Sequence, residues 1–245
     1  MMVSRALISF VFSAFLLRTC LATTFTIKNN CPYTVWPATL AGSGSTPLSS
    51  TGFQLSPGAT FSLSASAPWS GRFWGRTGCS TDASGRFSCA TGDCASGAVA
   101  CNGAGGNPPV SLAEFTLVTG GGQDNYDVSL VDGFNLPLSI APQGGSNGCQ
   151  TTTCSANINS VCPAELAVKD QNGNVIACKS ACEAFGSPQY CCTGSFSTPQ
   201  TCPPTNYSMI FKGQCPQAYS YAYDDANGSL YTCVSPSGYV ITFCP

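Results

Sequence analysis

The sequence predicts an all-β sandwich interrupted by two cysteine-rich excursions, the larger of which carries one short helix. Three observations predict it. Short segments with period-2 alternation recur between glycine- and proline-rich breaks. Charged residues make up only 8% of the chain against 26 Gly and 17 Pro, a balance that favours turns over helices. Sixteen of the 17 cysteines follow the first 22 residues, an even number suited to eight disulfides in an oxidising compartment.

The elements follow in chain order. Arg5, the apolar run Ala6 to Leu17 and the small-residue site Cys20-Leu21-Ala22 read as a signal peptide over residues 1–22. Its apolar run is too short to span a bilayer, and no later stretch is long and apolar enough, so no integral membrane segment is expected. Thr24 to Lys28 alternates as a half-buried strand should. Tyr33 to Trp36 is β-rich and expected to stop at Pro37. Phe53–Leu55, Thr60–Leu63 and Ser70–Arg76 are further strand candidates, and Cys79 to Pro109 is the first excursion. Leu112–Val118 and Tyr126–Asp132 alternate on either side of Gly120-Gly121-Gly122, and Leu136 to Ala141 closes this block. Between Cys149 and Cys215 only Ala177 to Phe185 reads as helix, stopped by Gly186 and Pro188. Gly238 to Phe243 is the final strand.

Composition excludes several functions. There is no His, which removes Ser–His–Asp and Cys–His nucleophilic chemistry as well as histidine metal sites. No cysteines show C-x-x-C spacing, no loop has the alternating ligands of a calcium site, and no metal or cofactor is expected. Loss of Arg5 and Arg18 with the leader leaves a net charge of about −4, which argues against nucleic-acid binding and against charge-driven attraction to anionic membranes. Carboxylates are the chemistry that remains. Glu114, Asp127 and Asp132 lie in strand-like contexts, and Asp224 and Asp225 follow the aromatic run Tyr219 to Tyr223. As single exposed charges they would be solvated strand edges and turns. Asp127 and Asp132 are an odd number of residues apart, so both face one groove only if Asp132 lies beyond the strand, where Gly133 begins a turn. Glu114 should point away from whatever Phe115 and Leu117 bury.

The run Gly85-Arg86-Phe87-Ser88-Cys89-Ala90-Thr91-Gly92-Asp93-Cys94, followed by Cys101, resembles the signature of the thaumatin-like proteins, pathogenesis-related family 5. Asn30-Cys31-Pro32-Tyr33-Thr34-Val35-Trp36, Tyr126 to Asn135, Gln189-Tyr190-Cys191-Cys192 and Phe243-Cys244-Pro245 resemble the family elsewhere, so that the likeness covers the whole mature chain. The resemblance implies a flattened β-sandwich of residues 23–76 plus 110–155 plus 216–245, a small disulfide-rich domain 77–109 and a disulfide-rich loop and helix domain 156–215. By cysteine order it implies Cys31–Cys244, Cys79–Cys89, Cys94–Cys101, Cys149–Cys233, Cys154–Cys215, Cys162–Cys178, Cys182–Cys191 and Cys192–Cys202. It also implies an acidic cleft built from Arg72, Glu114, Asp127, Asp132 and one of Asp224 and Asp225; Phe134 or Tyr219, nearby in sequence, is the aromatic expected to cover a sugar face.

Such a cleft suits a neutral polyhydroxylated ligand, because carboxylates accept hydrogen bonds from sugar hydroxyls. The same acids can hydrolyse a glycosidic bond, with Glu114 expected as the acid and Asp127 as its partner. The family reading is a monomeric plant-defence protein, secreted to the apoplast or held in the vacuole, that binds β-1,3-glucan or another fungal wall polysaccharide with weak endo-glucanase activity. A non-enzymatic defence protein acting by membrane perturbation or hydrolase inhibition is the alternative. A sweet-tasting protein is disfavoured by the acidic charge. Family members often have an aromatic residue where Asn125 stands, and fruit and pollen members are often allergens. Asn206 and Asn227 begin N-glycosylation sequons.

Overall fold

The computed structural model describes residues 22–245, except for the side chains of Ala226 and Asn227. The expected signal peptide lies outside the described residues apart from Ala22, and so does the side chain at the second sequon. Strands β1 (Thr23–Asn29), β2 (Trp36–Ala41), β3 (Thr60–Ala65) and β4 (Trp69–Arg76) come first. The first excursion holds β5 (Ser80–Thr81) and β6 (Phe87–Ser88). β7 (Leu112–Leu117), β8 (Gln123–Ser129), β9 (Leu138–Gln143), β10 (Ser146–Gly148) and β11 (Thr152–Cys154) follow. The second excursion contains the β12 (Ala167–Lys169) and β13 (Val175–Cys178) hairpin, then helices α1 (Ala181–Phe185), α2 (Pro188–Cys191) and α3 (Asn206–Gln214). β14 (Tyr231–Val234) and β15 (Gly238–Phe243) end the chain.

Two sheets form the sandwich, ordered β11-β9-β15-β1-β3 and β10-β14-β8-β7-β4-β2. Each turns its apolar parity inward. Phe25 and Ile27 of β1 meet Phe73 of β4, Phe115 of β7 and Tyr239 of β15 in one aromatic core. The Phe25 ring lies 4.7 Å from that of Phe73 and 4.8 Å from that of Phe115, centroid to centroid. Each such side chain contributes about 1.5–3 kcal/mol through burial. The outer face of the six-stranded sheet is only half covered. Ala38, Trp74 and Leu112, neighbours across β2, β4 and β7, are capped by Cys94 and Cys101 of the first excursion and by Val110 just after it. The Arg76 side chain fastens that excursion. It donates through Nε to Trp36 O at 3.0 Å and through Nη2 to Val99 O at 2.6 Å, and its guanidinium lies over the Phe87 ring.

Eight disulfides brace the molecule: Cys31–Cys244, Cys79–Cys89, Cys94–Cys101, Cys149–Cys233, Cys154–Cys215, Cys162–Cys178, Cys182–Cys191 and Cys192–Cys202. Among the described residues, no helix is long and apolar enough to cross a membrane.

Two local readings are corrected. Pro37 does not stop a strand: β2 begins at Trp36 and runs through it, which an edge strand of the sheet tolerates. The helix expected over Ala177–Phe185 is confined to Ala181–Phe185, because Ala177 and Cys178 pair with β12. Ser180 caps its start by accepting from Glu183 N–H, and Gly186 ends it at φ 63°. The longest helix, α3, starts at a capping box in which Thr205 and Ser208 bond each other's backbone N–H.

Candidate functional site

The uncovered half of the outer face carries the carboxylates. Register places Leu40, Arg72, Glu114 and Asp127 in a single row across β2, β4, β7 and β8. Inward-facing Phe115 and Tyr126 set the parity of that row. Directly opposed side chains in an antiparallel pair have Cβ atoms about 4.5–5.5 Å apart, so Glu114 stands in contact range of Arg72 on one side and Asp127 on the other. The row floors a groove of about 540 Å³ whose walls include Ser70, Thr116, Asn125 and Leu230. Asn125 thus stands in the groove, on β8 opposite Thr116.

The remaining predicted residues separate into two groups. Asp132 lies beyond the end of β8, before Gly133 at φ 87°, and its charge acts on Glu114. Asp225 is exposed, accepts a hydrogen bond from the Tyr219 hydroxyl, and its charge acts on Asp127. Tyr219 itself is anchored to β8, its backbone bonding Val128 O and Leu130 N at 2.9 Å each.

Asp224 and Phe134 do not belong to the groove. Asp224 is 1% exposed, pairs with Lys212 Nζ at 3.0 Å, and accepts from Ser220 N and Oγ at 2.9 Å each. It is a structural anchor holding α3 against the segment that presents Asp225. Lys212→Met is therefore expected to cost about 3 kcal/mol, because it leaves a buried carboxylate without its lysine. The check is the urea midpoint, with Lys212→Met/Asp224→Asn recovering part of the loss. Phe134 is fully buried, because the turn at Gly133 sends the chain inward, where Phe134 N–H and C=O both bond Cys178.

The electrostatics rank the carboxyls. Burial, then the nearby Glu114 and Asp225 charges, push Asp127 up to about 8. Burial also raises Glu114, but Arg72 and a hydrogen bond from Ser129 oppose the rise. Of the two, Asp127 is pushed up the further, whereas the sequence-based expectation gives the acid role to Glu114. Ser129, whose contribution the sequence did not suggest, sits two residue pairs along from Glu114, opposite Leu112 and on the same face. Glu183 of α1 is a further carboxyl near the site. Burial, with the Asp132 charge, takes it up to about 7 against the pull of Lys179. Among the described residues, no group of three or more potential ligands is placed to hold a metal ion.

A braced β-sandwich with a carboxylate-floored groove on one sheet is the class of protein these features define. A model of the thaumatin family matches residues 29–245, and the chain belongs to that family. It is 64% identical over 221 residues to thaumatin-like protein 1 of Pyrus pyrifolia, covering 90% of each chain. It is 62% identical over 224 residues to the glucan endo-1,3-beta-glucosidase of Prunus avium, covering 91% of each. Among solved structures it resembles the GH family 64 laminaripentaose-producing beta-1,3-glucanase of Paenibacillus barengoltzii. There the TM-score is 0.58 at 12% identity, over 92% of this chain and 75% of that one, which is a likeness of fold alone.

Proposed function

We propose that this chain is a secreted defence protein that binds β-1,3-glucan in the groove and hydrolyses it slowly. The observation that carries the reading is the in-register row Arg72–Glu114–Asp127 on the floor of an open groove. The 62% identical Prunus avium protein, which carries a glucanase name, supports the choice of sugar polymer, and eight disulfides suit an exported product.

In this reading Asp127 is the general acid. Its raised pKa keeps it protonated through neutrality, so it can hand a proton to the glycosidic oxygen. Glu114, held lower by Arg72, is the ionised partner that supports charge at the sugar carbon or activates water. Arg72 also keeps the row from accumulating uncompensated negative charge. Leu40 and Leu230 border the groove and offer apolar surface to a sugar face. Tyr219 positions Asp225 as a hydroxyl acceptor. Asn206 is exposed at the start of α3, accessible to a glycan.

Retention on insoluble β-1,3-glucan, together with release of reducing sugar from laminarin, tests the reading. Retention without release leaves a binding protein. No retention overturns the reading in favour of membrane perturbation or hydrolase inhibition.

The raised Asp127 also carries a stability cost with a defined sign. Between the ordinary carboxylate range near ~4 and about 8, the folded chain holds a proton that the unfolded chain has released. Stability contributed by this group therefore falls as pH rises through that window. Asp127→Asn should be more stable than the wild type at pH 8, by roughly 2 kcal/mol after allowance for water at the groove, and equal to it near pH 4. Urea titrations at the two pH values check it.

A further inference from the structure

Asp124 and Asp127 are an odd number of residues apart on β8, so Asp124 points to the opposite, inner side of the sheet. It is 4% exposed. Its Oδ1 accepts from Val118 N–H at 2.9 Å and its Oδ2 from the Tyr239 hydroxyl at 3.0 Å. Two neutral donors are a thin complement for a buried carboxylate, which is normally paired with a cation. Burial accordingly pushes Asp124 up, against the pull of those two bonds. Among the described residues, the titratable group in contact with it is Tyr239, whose own hydroxyl is pushed up by burial and by the Asp124 charge.

Asp124 lines a second cavity of about 520 Å³ at the open end of the sandwich. The other walls include Ala22, Thr23, Val118, Ser235 and Ser237, and none of the lining residues is Lys or Arg. Thr23, the first residue of β1, is itself 8% exposed. Cleavage after Ala22, the site expected from Cys20-Leu21-Ala22, turns the amide nitrogen of Thr23 into an α-ammonium on the wall of this cavity.

We propose that removal of the leader completes this site: the new α-ammonium of Thr23 turns into the cavity and pairs with Asp124, stapling β1 of one sheet to β8 of the other. The precursor has only an uncharged amide at that place and lacks the staple. Maturation thus supplies the buried acid with a cation that none of the described lining side chains provides. The reaction is peptide-bond hydrolysis by the processing peptidase, and no further reactant is needed.

The test uses the secreted, processed protein. Its α-amine is reductively dimethylated with 13C-formaldehyde and cyanoborohydride as the hydride donor, and titrated by NMR. The pKa should lie at least about one unit above the ordinary 7.7–8.0 of an α-amino group. Asp124→Asn should return it to that range. Because Asp124→Asn removes a buried acceptor, a second comparison leaves every side chain in place. Selective acetylation of the α-amine should lower the unfolding temperature at pH 7 and have no effect below the carboxylate range. Three results overturn the proposal: a mature chain that begins at a residue other than Thr23, an α-amine that titrates in the ordinary range, or an acetylated protein that unfolds at the same temperature as the free amine.

Discussion

Glu114→Gln should reduce sugar release from laminarin by about 10²–10⁴-fold, the usual contribution of a positioned acid–base group. Retention on insoluble glucan should change little. The amide keeps the shape of the carboxylate and one acceptor oxygen, but it carries no charge and takes no proton. It also withdraws one of the charges that raise Asp127, so the proton on Asp127 becomes easier to lose. The wild-type rate should fall above about pH 8, where Asp127 ionises, and Glu114→Gln should move that limb to lower pH. Undiminished sugar release by the variant would remove Glu114 from the chemistry. A loss of retention equal to the loss of rate would make Glu114 a binding group only.

Removal of the Cys31–Cys244 cross-link, by Cys31→Ser with Cys244→Ser, should give the largest loss of stability of any single disulfide. The bond spans 213 residues, and chain entropy assigns such a loop roughly 5 kcal/mol, an upper figure. The Cys79–Cys89 link spans 10 residues, and the same reasoning gives it roughly 3 kcal/mol. Against a typical total stability of about 5–15 kcal/mol, the first loss threatens secretion itself. Urea unfolding of both variants checks the ranking, and equal losses would show that local packing, not loop closure, sets the contribution of the cross-links.

The strand-rich architecture was legible because half-buried strands must alternate, and β1 and β7 do so openly. The outward direction of Glu114 followed from the parity of Phe115 and Leu117. The row it joins did not. That Arg72, Glu114 and Asp127 share one line depends on the register of β4, β7 and β8, which turns and packing fix jointly. Asp224 and Asp225 are adjacent, and only the position of Lys212 on α3 shows that the first is an anchor, while the exposed second accepts from Tyr219. Phe134 looked available to a sugar because nothing in its neighbourhood tells which way the turn at Gly133 leads. Helix α3 escaped notice because Asn206, Ser208 and Gly213 are weak helix formers. Its capping box has Ser208 in place of the usual Glu or Gln. The burial that raises Asp127, the largest cause of its shift, could not be read from the sequence because it is a property of the assembled sheet.

The placement of β15 governs how this protein can be made. The last strand of the chain lies between β1, its parallel neighbour, and β9, in the middle of the five-stranded sheet. A ribosome delivers β1 and β9 well before that strand. Until it emerges, β1 and β9 have no common neighbour, and Cys31 has no partner to oxidise with. The sheet is thus completed only once β15 has been made, so a chain cut before Gly238 should leave β1 and β9 unjoined and Cys31 without its cross-link.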